Sequence, residues 1–220
     1  MNSRKTKITY LALFLLIAMI PLACFKSLTV TNVVYENNFN DFQLNNVTVS
    51  GWNANVTAFG PVATPRIFAY NGEAVLGPLN NNLVALTLQN LPSHQALRVE
   101  FDLYIHNVWK NDLWHMTLDG KDQWITGFSN DSTIQQSYPN WLGNGTPLSP
   151  AGKDAEDINL PGTCSFISSL RGTSRYKFVT TISHSADSFV LNCNDAGGNV
   201  NDTCQRSWSM DNLKVSVFRN

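Results

Sequence analysis

The sequence predicts an all-β fold, an antiparallel two-sheet jelly-roll sandwich following an N-terminal signal peptide. Two observations carry the prediction. Short runs of alternating apolar and polar residues recur along the chain, each long enough for one strand. Turn chemistry separates them at Asn71-Gly72, Asn90 to Pro92, Asp119-Gly120 and Asn194 to Asn199. Beyond the first two dozen residues no window keeps a helical period. Many short strands divided by such turns pack as a sandwich.

The N-terminus reads as an export signal at 1–24. Arg4, Lys5 and Lys7 form a cationic stretch, and residues 8–22 form an uncharged apolar run before the small Ala23 and Cys24. The run is short for a membrane span. Leu22-Ala23-Cys24 also admits a lipoprotein signal with Cys24 acylated, although Pro21 stands where such signals carry Leu, Val or Ile. Cleavage near residue 24 and an uncleaved anchor are the other readings. All of them place the chain outside the cytoplasm, secreted or on the cell surface, touching membrane only through a lipid or an uncleaved signal.

Residues 25–220 then suit a single β-sandwich. The clearest strand lies at 97–105, where Leu97, Val99, Phe101, Leu103 and Ile105 share one face and Arg98, Glu100, Asp102 and Tyr104 the other. Similar runs occupy 84–88, 113–118, 124–128, 176–182, 188–193 and 213–218, with a weaker alternation over 47–59. The segment 129–163 breaks the pattern. It is rich in Ser, Asn, Gly and Pro and shows no convincing strand, which predicts a long loop of functional or disordered kind.

Charge excludes one class of partner. The chain has 220 residues, a net charge of −1 and only 14% charged residues, so it lacks the basic footprint of a nucleic-acid binder. Abundant Asn, Ser, Thr and Gly solvate the surface with amides and hydroxyls. Five sequons, at Asn46, Asn55, Asn130, Asn144 and Asn201, become glycosylation sites only in a eukaryotic secretory route.

There are four cysteines. Cys193 and Cys204 flank the turn-like 194–199 stretch and are the expected disulfide, with Cys164 left to pair with either or stay free. No pair has the short spacing of a zinc site.

Among the six tryptophans, Trp114 and Trp124 sit in strand runs and are expected in the core, with Trp208 packed under the last strand. Trp109 and Trp141, with Tyr138, lie in turn or loop sequence. Rings there can stack on sugar faces, whose axial C–H groups are apolar, or pin their loops to the sandwich.

Catalytic patterns are missing. Glu100-Phe101-Asp102 begins like the acidic strand of a jelly-roll glucanase, but Leu103, Tyr104 and Ile105 follow instead of a second glutamate. The four histidines, His94, His106, His115 and His184, fall in separate segments, and no nucleophile elbow, phosphate loop or zinc helix appears. The expectation is a non-enzyme.

The motifs at 35–42, 86–94, 99–105, 112–120, 182–184 and Ser207-Trp-Ser-Met-Asp-Asn212 together resemble secreted concanavalin-like and galactose-binding-like jelly-roll modules, the architecture of carbohydrate-binding modules. The likeness spans most of 35–218. It departs at Asn107 to Asn111, where members carry an acidic Ser-Trp-Asp-Gly element. The resemblance implies binding of a glycan or another surface polymer. It also implies a structural calcium shared by a glutamate near the first strand and an aspartate near the last, here Glu36 and Asp211. A structural or adhesive surface protein with a protein partner is the alternative, followed by a glycoside hydrolase.

Overall fold

The computed structural model describes residues 30–51, 67–163, 172–196 and 203–219. The expected signal at 1–24, Trp52, Cys164 and the sequons at Asn55 and Asn201 lie outside the described residues. Twelve strands are described: β1 (Val30–Asn37), β2 (Val47–Gly51), β3 (Ile67–Tyr70), β4 (Glu73–Leu79), β5 (Asn82–Leu88), β6 (Ala96–Asn107), β7 (Lys110–Leu118), β8 (Lys121–Ser129), β9 (Asp157–Leu160), β10 (Thr173–Ser183), β11 (Phe189–Ala196) and β12 (Arg206–Arg219).

All pairings between these strands are antiparallel, and they form two sheets. The larger runs β3-β4-β12-β6-β10-β9, with β1 also on β12; the smaller runs β2-β5-β11-β7-β8. The sandwich expected from the turn spacing is therefore present. At 14 residues β12 is long enough to serve two partners on one edge. Its first part pairs with β4 at Trp208 and Met210, and its second part pairs with β1 from Leu213 to Arg219. The first and last described strands thus clasp each other.

The alternation read at 97–105 holds. Leu97, Val99, Phe101, Leu103 and Ile105 point inward to meet Trp114, Met116, Leu118, Phe189 and Leu191 of the smaller sheet in one apolar cluster. Trp114 and Trp208 are fully buried there, their rings 6.1 Å apart and edge to face. Trp124 is partly buried against the same cluster.

The opposite face of β6 does not behave as alternation predicts. Asp102, Tyr104 and His106 are buried as well. Tyr70, Val75 and Tyr104 form a second small cluster with Phe68 and Leu160, so β3, β4 and β9 fold their side chains over the outer face. His106 lies wholly within this cover, its nitrogens 2.8 Å from both Thr173 Oγ1 and Ser209 Oγ. Burial pushes its pKa down to about 3, so the ring is neutral and structural.

Two expectations need correction. Residues 129–163 are not strandless, because β9 pairs with β10 and Gln136 bridges to Ser149. The Cys193–Cys204 disulfide is not formed. Cys193 is a free, fully buried thiol. The strand β11 continues through the expected turn to Ala196, and alternation turns Cys193 toward the core between Val84 and Met116. Cys204 is disulfide-bonded, to a cysteine other than Cys193.

Candidate functional site

The 129–163 segment is held against the β8 side of the smaller sheet, and its anchoring explains what it exposes. Glycine at 127 makes room for the Asn111 bulge of β7, since a Cβ there would stand 2.7 Å from the Asn111 carbonyl oxygen. Ser137 N–H donates to Asn111 Oδ1 at 2.7 Å, and Gly127 N–H donates to Ser137 Oγ at 2.6 Å. Tyr138 N–H and Leu142 N–H then donate to the Gly127 and Ile125 carbonyls, at 3.0 and 2.6 Å. Gln136 is fully buried and staples the loop from within. Its Oε1 accepts from Ser129 N–H, Gly152 N–H and the Tyr176 hydroxyl, and its Nε2 donates to the Tyr138 and Lys153 carbonyls.

At the tip, Thr146 Oγ1 donates to the Trp141 and Gly143 carbonyls, and Asn140 Nδ2 donates to the Pro147 carbonyl at 3.0 Å. The backbone around Trp141 is therefore fixed on both sides while the residue is 47% exposed. Leu142 and Leu148 are exposed to a similar degree. A rigid loop thus offers an aromatic ring with apolar neighbours and the amides of Asn140 and Asn144, both at least partly exposed.

Trp109 and Tyr138, expected with Trp141 in a surface site, are core residues. The β6–β7 connection bends through Asn107 and Asn111, both with positive φ (65° and 60°), and turns Trp109 inward. Its Nε1 donates to the Ser207 carbonyl at 2.9 Å, and the Arg206 guanidinium sits 5.3 Å from its ring centre. Arg206 in turn bridges Asp195 and Asp112, at 3.0 and 3.2 Å. Burial raises the pKa of Asp195 even so, although Trp208 and the Arg206 charge pull the other way. Tyr138 packs 4.8 Å from Phe128 and 5.1 Å from Tyr176, and burial pushes its hydroxyl up to about 12. Loop sequence did not imply a loop surface. The 129–163 loop lays Tyr138 against the core while Trp141 stays outside, and the β6–β7 connection turns Trp109 inward.

The two residues implied for calcium keep different neighbours. Glu36 is an exposed acid whose carboxylate faces Lys214 at 3.7 Å. Asp211 is 1% exposed on β12, and the acids acting on it are Glu73 and Asp102 from the flanking strands. Burial raises its pKa to about 7, and the Glu73 and Asp102 charges add to the rise while the Asn212 N–H opposes it. Among the described residues no three His, Cys, Asp or Glu side chains are arranged to hold a metal.

Asp211-Asn212 instead marks a β-bulge. Between Asp211 and Lys214 the register against β6 shifts, and Asn212 takes φ 53°. Its Nδ2 donates to Asp102 Oδ2 at 2.8 Å, and Asp102 also faces Lys177 at 3.4 Å. The glucanase-like Glu100 is occupied by Arg98 at 2.9 Å. Sequence spacing missed two groupings: the acids Glu73, Asp102 and Asp211, and the contact of His94 with His184 at 2.6 Å. Each unites residues from separate strands or loops.

No family model matches the chain, and no curated protein matches its sequence. Solved structures similar to it include a mannan-recognising carbohydrate-binding module, TmCBM27, at 17% identity and TM-score 0.42, covering 87% of this chain and 99% of that one. A family 35 carbohydrate-binding module from Clostridium thermocellum is 11% identical with TM-score 0.33, over 85% of this chain and 90% of that one. The adhesin domain of Lys-gingipain from Porphyromonas gingivalis is 12% identical with TM-score 0.38, over 84% and 99%. Overlap this loose assigns neither a family nor a ligand to the chain.

Proposed function

We propose that this chain is a non-catalytic, extracytoplasmic binding module for a glycan or another surface polymer, with the Trp141 loop as its contact. One observation carries the reading: an exposed indole on a backbone immobilised by hydrogen bonds before and after it. Such a ring stacks on the C–H face of a sugar with little conformational entropy left to lose, and neighbouring amides pair with the hydroxyls. Non-catalysis is supported by the occupation of the acidic strand, where Glu100 serves Arg98 and Asp102 serves Asn212 and Lys177. The disulfide at Cys204 supports an oxidising compartment.

A glycan array tests the reading. Binding that Trp141→Ala abolishes, at an unchanged melting temperature, supports it; an array without binders, or binding indifferent to the substitution, removes it. The exposed Leu142 and Leu148 beside Trp141 favour a second reading, a protein partner on the same loop. Leu148→Ser should leave glycan binding intact under the first reading and weaken partner binding under the second. A structural calcium is a separate component of the proposal. Asp211 is the one implied ligand with acidic neighbours, so the ion should raise the melting temperature at pH 7 in the parent and not in Asp211→Asn. A melting temperature indifferent to calcium and chelator excludes it.

A further inference from the structure

Trp141 stands in a stretch of chain without charge. From Ser132 to Gly152 the sequence holds no Asp, Glu, Lys, Arg or His. Its one phenol, Tyr138, is buried and kept protonated. The charges at the borders of the stretch are paired locally. Asp131 accepts from the Thr133 N–H and hydroxyl at 2.9 and 2.6 Å, and the Lys110 charge acts on it as well. Lys153 faces Asp154 at 2.8 Å, and Arg175 faces Glu156 at 3.5 Å. The exposed polar groups within the stretch are hydroxyls and amides, at Ser132, Thr133, Gln135 and Asn144.

The tip also has a definite shape. Residues 141–145 are exposed one after another. No atom comes within 4 Å of the place a Cβ would take on Gly145, and on Gly143 only Thr146 Oγ1 does, at 3.5 Å. The tip therefore projects, with no second element walling it. Small ligands are held by concave sites that cover most of their surface. A projecting residue covers one face of one sugar, so further contact comes only from an extended partner whose neighbouring units meet the rest of the tip. Sugar hydroxyls give Asn144 new hydrogen-bond partners in place of water. A bilayer interior gives none, at a cost of about 2 kcal/mol or more per buried amide.

Resting on the glycan reading above, we propose that the Trp141 tip selects uncharged polysaccharides and meets them side-on, along the chain rather than at an end. An acidic or cationic polymer finds no opposite charge within the tip. The paired charges at its borders give it no single-signed field to steer by. Recognition then rests on stacking and on amide–hydroxyl pairing, neither of which salt screens.

Retention of the full chain on cellulose, mannan, β-1,3-glucan and chitin, beside polygalacturonate and chitosan, tests this. At least one uncharged polymer should hold the chain, with a change below about twofold between about 0.05 and 0.5 M salt. Trp141→Ala should weaken that retention about tenfold. The dissolved polymer should displace the chain, and its free monosaccharide should not. Asn144→Lys and Asn144→Asp, at an unchanged melting temperature, should shift retention in the same direction, because an uncharged ligand cannot tell their signs apart. Should either variant misfold, the salt series on the parent decides. Opposite shifts, retention confined to polygalacturonate or chitosan, or displacement by the monosaccharide would overturn the inference and leave the Trp141 glycan reading standing. No Trp141-dependent retention on any polysaccharide would remove both. Trp141-dependent retention on phosphatidylcholine vesicles alone would do the same and assign the tip to a membrane.

Discussion

Burial of Asp211 beside Glu73 and Asp102 ties the stability of β12 to pH. Unfolded, this carboxyl ionises near the ordinary 3.8; folded, it is pushed up to about 7. Between those values the folded state keeps a proton that the unfolded state has released. Its contribution to stability is therefore full below about pH 4, falls as pH rises toward 7, and is flat above. Asp211→Asn keeps the shape without the charge. It should flatten this part of the profile and raise stability at pH 8 by on the order of 1–3 kcal/mol, read from urea unfolding at pH 5 and 8. An unchanged slope would mean that Asp211 is solvated. The tryptophans separate at the same scale. Trp109→Ala empties a buried, hydrogen-bonded site and should cost about 3–5 kcal/mol, whereas Trp141→Ala should stay within about 0.5 kcal/mol by the same unfolding measurement. Cys193 adds a chemical check: alkylation should reach it only after denaturation, since burial raises its thiol pKa well above the usual value.

Among the elements, the loop at 129–163 is tied to the sheet by the hydrogen bonds of Gln136 as well as by the packing of Tyr138. Gln136→Ala strands the Ser129 and Gly152 N–H groups, with Ser129 itself buried. Each orphaned buried donor costs about 1–3 kcal/mol. The variant should lose about 2–4 kcal/mol and become sensitive to limited proteolysis within 130–156; resistance equal to the parent would place the anchoring elsewhere. This element also shows where the sequence stopped being readable. Strands such as β5 and β7 alternate because one face is buried, so period 2 exposes them directly. A loop ordered by amide and hydroxyl hydrogen bonds has no period, and Gln136, Ser137 and Asn111 look like any polar residues until β8 is beside them. The same limit hid β9, β3 and β4, which are short or carry apolar residues on both faces where the outer surface of the larger sheet is covered. It also misplaced Trp109, whose turn is tucked inward by two asparagines with positive φ.

At the scale of the whole molecule the two sheets share one apolar cluster, and the longest strand, β12, meets β1, β4 and β6. Trp114 from the smaller sheet packs against Trp208 and Phe178 from the larger, so neither sheet keeps its inner face covered without the other. Apolar burial is then gained or lost as a unit, which is the condition for all-or-none unfolding. Tryptophan fluorescence reports Trp114 and Trp208 at the contact between sheets, while far-UV circular dichroism reports the strands themselves. The two should trace the same transition against urea, with the same midpoint and slope. Two separated midpoints would show that one sheet persists alone, and the shared core could not then be what makes the sandwich a single folding unit.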